Sequence, residues 1–127
     1  VLRKAKRPVT RYNDKDLHMA TFDNFKKLDI CVGTILSAKS FEKARNPAYQ
    51  LEIDFGAKIG IKKSSAQITD HYSPDTLIGK QILAVVNLPP RQIANFFSEV
   101  LVLGTYSDGG VVLITPDRPV QNGDKLG

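Results

Sequence analysis

Three short stretches of the chain set cations beside aromatic, hydroxyl or amide side chains. Lys43 and Arg45 precede Tyr49, Lys62, Lys63, Ser64, Ser65 and Gln67 form one polar run, and Arg91 is followed closely by Asn95, Phe96 and Phe97. Cations next to rings suit a phosphate backbone with stacked bases, since the charge meets the phosphate and the ring meets the base. The same groups equally suit an extended peptide carrying apolar side chains. Structural roles compete with these readings. Phe96 and Phe97 are consecutive, so no more than one of them points into a core. Tyr49 begins a stretch whose Leu51, Ile53 and Phe55 face inward, which makes it a lid on the core more readily than a ligand contact. Lys43 and Arg45 in a polar loop could simply be solvated charges.

Catalytic chemistry finds little support. Asp29, Glu52 and Asp54 are carboxylates without an accompanying nucleophile or base, and alternation puts Glu52 and Asp54 on the solvent face. Gly109-Gly110 lacks the helix start and lysine that a phosphate loop needs. Cys31 could pair only with His18 or His71, and it lies in an apolar strand pattern, so it reads as a buried, inert thiol. A single cysteine allows no internal disulfide and no zinc cluster, and it suits a reducing cytoplasm. No catalytic residues, metal ligands or cofactors are assigned.

The net charge of +5 is unevenly spread. Residues 1–19 hold six Lys/Arg against Asp14 and Asp16, which leaves +1 for residues 20–127. The basic balance therefore belongs to a leader without apolar periodicity and without the apolar stretch of a secretion signal, read here as a flexible arm. His18-Met19 also matches what a common cloning site encodes at a start codon, so Met19 as first residue and a natural basic extension both stay open. Residues 20–127 are read as one domain, and no apolar run approaches the ~20 residues of a membrane span.

Those candidate residues need a scaffold to converge. The run from Thr21 offers a cap and then Phe22, Phe25 and Leu28 three apart, which predicts a short helix. Residues 29–39 are β-branched around Gly33 and predict a bent first strand. Residues 41–48 form a loop, and strict alternation from Tyr49 to Phe55 makes the second strand. A hairpin through Gly56 leads to a third strand from Ile59. Ser73-Pro74-Asp75 opens a helical turn that Gly79 closes. Residues 81–88 and 99–104 are apolar on both faces, so each strand must be covered on both sides. No long second layer is evident in the chain, which points to the N-terminal helix or a second subunit as the cover. Asp108-Gly109-Gly110 turns into a last strand, and residues 116–127 read as a turn-rich tail. Five short strands with a helical insertion between the third and fourth predict an all-β, five-stranded OB-fold barrel with a short N-terminal helix and a C-terminal strand extension. A β-sandwich is the runner-up.

Alternation from Ile59 and Ile61 would turn Lys63 inward, where an unpaired ammonium is costly. Either a bulge shifts the register after Ile61, or the barrel opens into a polar-mouthed pocket lined by Lys63, Ser65 and Gln67, the reading preferred here.

Residues 43–56 (KARNPAYQLEIDFG), 62–69 (KKSSAQIT), 84–94 (AVVNLPPRQIA) and 98–104 (SEVLVLG) together resemble the CsaA family of export-related chaperones, from about Phe22 to the C-terminus. That family is similar to the wider group of tRNA-binding OB domains, including those appended to methionyl-tRNA synthetases. The resemblance implies a homodimer of OB barrels that binds unfolded or export-destined polypeptides, together with the Sec translocation motor, or that binds tRNA on the same face. The tRNA-binding group usually shows a Val-Ser-Gly-Ile type segment where this chain has Ser64-Ser65-Ala66-Gln67, which favours the chaperone branch. OB barrels bind on the second and third strands between two loops, here residues 40–48 and 88–98.

Overall fold

The computed structural model describes residues 18–127, so the leader expected over residues 1–19 lies, except for His18 and Met19, outside the described residues. Helix α1 (Phe22–Lys26) starts where expected. The Thr21 hydroxyl accepts from Asn24 N (3.2 Å) and the Asn24 side chain accepts from Thr21 N (2.9 Å), satisfying two N-terminal donors. The helix buries no residue of its own. Asn87 ties down the turn that follows it, donating to Lys27 O (2.7 Å) and accepting from Asp29 N (2.8 Å).

Strands β1 (Ile30–Ser40), β2 (Tyr49–Asp54) and β3 (Ile61–Ala66) form an antiparallel meander. A bulge between Ile35 and Ser37 bends β1, so that its first half pairs with β4 (Gln81–Val85) and its second half with β2. Gly33 lies inside this bend, and a Cβ there would come within 2.6 Å of Ile53 and 2.7 Å of the Phe55 ring. Helix α2 (Pro74–Leu77) fills the β3–β4 connection and seats Leu77 in the core, with Thr76 Oγ1 accepting from Ser73 N (3.1 Å). Strands β5 (Arg91–Ile93) and β6 (Phe96–Ser98) pair as a hairpin, and β7 (Leu101–Val102) adds to β4 to give the sheet order β3-β2-β1-β4-β7. The barrel closes between β3 and residues 98–100. Glu99 N donates to Lys63 O (2.8 Å), while Lys63 N and Ser65 N donate to the side chains of Glu99 (3.0 Å) and Ser98 (2.9 Å). This is the five-stranded OB barrel expected from the sequence.

Strands β8 (Gly104–Ser107) and β9 (Gly110–Leu113) form the C-terminal hairpin and bury Val111 and Leu113 in the main core, which also holds Ile35, Leu51, Ile53, Phe55, Ile82 and Val102.

Three expectations need correction. The outer face of β1 and β4 (Ile30, Val32, Leu83, Val85) is packed by Leu101, Leu103 and Ile114 of the same chain, so residues 81–88 are covered without α1 or a second subunit, while Leu101 and Leu103 of the 99–104 strand are themselves only partly buried. Residues 88–98, expected as an open loop, carry the β5–β6 hairpin, which turns at Ala94 with φ of 53°. The tail is more than a run of turns. Gly123 N and Leu126 N donate to Val32 O and Ile30 O, Val32 N donates to Asp124 O, and Lys125 sits opposite Cys31 in an isolated bridge.

Candidate ligand-binding clefts

The register sets two rows of side chains on the outside of the barrel. Ser37, Glu52 and Lys63 align across β1, β2 and β3 in one row, and Lys39, Gln50 and Ser65 in the next. The Ser37 hydroxyl donates to Glu52 Oε1 (2.9 Å), which fixes that carboxylate in the sheet surface.

Lys63 belongs to the outer row because the phase changes in the β2–β3 turn. Phe55 N donates to Gly60 O and Gly60 N to Gly56 O, and both glycines take positive φ (90° and 87°). Asp54 then faces Ile61, so Ile61 points outward and is 57% exposed while Ile59 still packs on the core. Alternation from Ile61 carries Lys63 and Ser65 outward with it and turns Ser64 and Ala66 inward. Neither a bulge after Ile61 nor an opening of the barrel interior is needed. The polar surface expected from Lys63, Ser65 and Gln67 exists on the outside of the sheet.

Two adjoining clefts occupy this face. The first, of about 800 Å³, lies between the end of β1, the 41–48 loop and the β5–β6 turn. Its apolar part is Ala38, Phe41 and Phe96, the two rings meeting edge to face at 5.3 Å, and its charges are Lys39, Lys43 and Lys63 with Glu42 and Glu52. Asn95 adds an amide. The second cleft, of about 510 Å³, holds Arg45, Arg91, Ser65, Gln67 and Glu99 around Leu88, Pro89, Ile93 and Leu101. None of these five cations has a carboxylate partner among the described residues. Glu99 is committed to the barrel seam through Lys63 N.

Of the residues singled out from the sequence, Lys43, Lys63, Asn95 and Phe96 meet in the first cleft and Arg45, Ser65, Gln67 and Arg91 in the second. Four do not join them. Tyr49 is buried and donates to Tyr72 O (2.7 Å), the lid role weighed for it. Ser64 is fully buried, its hydroxyl donating to Val100 O (3.1 Å). Lys62 stands opposite Ile53 at the inner register and lines neither cleft. Phe97 is 55% exposed and also lies outside both. Lys39, Leu88, Pro89, Ile93 and Leu101 were not anticipated. Pairing Gln50 and Glu52 with the outward residues of the neighbouring strand would have found Lys39.

Cys31 lies away from the clefts. Burial is the main cause holding its thiol above the ordinary thiol range, with Asp29 adding to the rise and Lys125 opposing it. Lys125 bridges to Asp29 at 2.8 Å, and that hydrogen bond raises its own pKa. Among the described residues no group of His, Cys, Asp and Glu could hold a metal ion, and no helix is long and apolar enough to cross a membrane.

A family model described as "Putative tRNA binding domain" matches residues 30–125. The CsaA chaperone protein of Picrophilus torridus is similar at 55% identity over 86% of this chain and all of its own, with a TM-score of 0.83. Chaperone CsaA of Bacillus anthracis is similar at 53% identity over 86% of this chain and 99% of its own, with a TM-score of 0.80. The methionine–tRNA ligase of Bacteroides fragilis is 37% identical over 106 residues, 83% of this chain. The chain spans only about 15% of the length of that ligase. The match across both cleft walls and the barrel between them means that this chain belongs to the tRNA-binding domain family, on the side of it occupied by the CsaA proteins.

Proposed function

We propose that the domain, residues 20–127, is a chaperone-type binding module that holds unfolded or export-destined polypeptide across the two clefts, and that it performs no chemistry on it. The observation that carries this reading is the lining. Each cleft joins an apolar floor (Ala38, Phe41 and Phe96 in one; Leu88, Pro89, Ile93 and Leu101 in the other) to a few charges of both signs. Five cations against three carboxylates make a weak electrostatic trap for a polyanion but a serviceable rim for a chain whose apolar side chains enter the floor. The likeness to two proteins named as CsaA chaperones supports the same reading. The working unit is a homodimer in the reducing cytoplasm, with the Sec translocation motor as a partner.

A second reading, tRNA on the same face, draws on the family description and on the absence of carboxylate partners for Lys39, Lys43, Arg45, Lys63 and Arg91 among the described residues. Salt separates the two. If all five cations met phosphates, raising salt from ~50 to ~200 mM would weaken tRNA binding on the order of 10²-fold, whereas capture in an apolar floor should change by less than about threefold. A reduced, unfolded polypeptide and bulk tRNA, each titrated at both concentrations, give the answer. Salt-tolerant polypeptide binding is expected, and tRNA binding alone with a steep salt slope would replace the chaperone reading.

A further inference from the structure

The two clefts do not carry the same kind of charge. The first mixes three lysines with two carboxylates beside two rings, while the second sets the guanidinium groups of Arg45 and Arg91 against an aliphatic floor of Leu88, Pro89, Ile93 and Leu101. Neither arginine has an ion-pair partner among the described residues. The single carboxylate in this cleft, Glu99, spends its Oε1 on Lys63 N (3.0 Å). Arg45 comes from the loop before β2 and Arg91 from the first position of β5, so the cations reach the cleft from two separate elements.

Guanidinium is the cation best shaped to grip a carboxylate, because its planar fork can donate two parallel hydrogen bonds. A volume of about 510 Å³ lies within the range of small-ligand sites and fits a segment of a few residues rather than a folded surface. From two arginines that have no ion-pair partner among the described residues and stand over an aliphatic floor, we infer that the second cleft selects polypeptide segments in which an acidic side chain lies among aliphatic ones. The inference rests on the polypeptide-binding reading above. A basic residue in the same position would meet two like charges, so segments with Lys or Arg among the aliphatics bind least well.

The chain contains no tryptophan, so the fluorescence of a single Trp placed in a short probe peptide reports binding without interference. Three probes that differ only at a central position, Leu-Asp-Leu, Leu-Asn-Leu and Leu-Lys-Leu, are titrated against the protein, against the Arg45→Gln/Arg91→Gln double variant and against Lys58→Gln, which removes one positive charge outside both clefts. The expected result is that the Asp probe binds about tenfold more tightly than the Asn probe. That preference should be lost in the double variant and kept in Lys58→Gln. Glu99→Gln keeps an acceptor for Lys63 N while removing the negative charge, and should strengthen the Asp probe alone by about threefold. Equal affinity for the Asp and Asn probes overturns the selectivity and leaves the chaperone reading standing. So does a preference that survives the double variant. Failure of all three probes together with failure of an unfolded polypeptide to bind overturns both. Loss of tRNA binding in the double variant with no change for any probe assigns the arginines to RNA and overturns the selectivity.

Discussion

Lys63 and Ser64 stand on opposite faces of β3, and the turn before them decides which face each takes. Extending the phase of Ile59 through Ile61 fails because the turn that opens at Gly56 closes at Gly60, between those two isoleucines, and hydropathy carries no mark of that change. The same one-residue shift moves Ser64 from the expected binding surface into the core and clears the apparent penalty on Lys63. The two side chains therefore respond to substitution in opposite ways. Ser64→Ala leaves the Val100 carbonyl without its donor and should cost about 1–2 kcal/mol in urea unfolding, with ligand affinity unchanged. Lys63→Met should stay within about 0.5 kcal/mol of the parent in stability and lower ligand affinity. A Lys63→Met protein that gains stability and binds as before would return Lys63 to the interior.

At the scale of elements, what was legible in the sequence was whatever side chains enforce. The alternation from Tyr49 to Phe55 gave β2 its bounds and its buried set, Thr21 and Ser73 marked both helix starts, and Asp108-Gly109 marked the last hairpin. The β5–β6 hairpin was missed because each strand has three residues, too few for a period to show, and because Pro89-Pro90 reads as loop. The tail was missed because its attachment to β1 is largely main chain to main chain, and the polar side chains that add to it, Thr34 on Asn122 and Gln81 on Val120 and Asn122, show no periodic pattern in the sequence. That attachment makes a prediction. Deleting residues 120–127 removes the backbone bonds at Ile30 and Val32, the bridge at Cys31 and the Lys125–Asp29 pair. At about 1 kcal/mol for each net hydrogen bond, the three backbone bonds alone should account for roughly 2–4 kcal/mol, and the side-chain bonds of Thr34 and Gln81 to Val120 and Asn122 add to the loss. Cys31 reads the event directly, since its thiol is protected by burial and held protonated in the intact fold. Iodoacetamide should label it far faster in the truncated chain than in the intact one while the far-UV spectrum stays strand-like. Equal labelling rates would mean that the tail does not guard β1. A thiol raised when folded also contributes stability that is complete below its unfolded pKa and is lost as pH rises through the folded one, so the intact protein should weaken on the alkaline side of the ordinary thiol range.

For the whole molecule, the case for a homodimer has moved to a different surface. The doubly apolar fourth and fifth strands suggested it, but the outer face of the fourth is packed within the chain by Leu101, Leu103 and Ile114, which are themselves only partly buried. Apolar side chains also stand exposed around α1, where Phe22 (73%) and Phe25, and Leu28 just beyond the helix, follow one another at helical spacing with the two rings 6.4 Å apart. A helix with no buried residue, whose Phe25 is still 37% exposed, has little tertiary packing to stabilise it, and five residues are too short to hold a helix in water by propensity alone. Burying that stripe against a second copy would supply the missing packing and shield two phenylalanine rings. Light scattering should therefore return twice the 14.0 kDa chain mass at micromolar concentration, and Phe22→Ser/Phe25→Ser should return a single chain with its barrel intact. A monomer from the unmodified protein would contradict the dimer. A dimer that persists in the double variant would place its interface away from α1. The clefts lie on β1–β3 and the 88–101 segment and contain no α1 residue, so the monomeric variant should still bind each probe peptide with unchanged affinity per chain. The dimer would then add only the gain of holding one long client at two linked sites, which should appear with an unfolded protein and vanish with a short peptide.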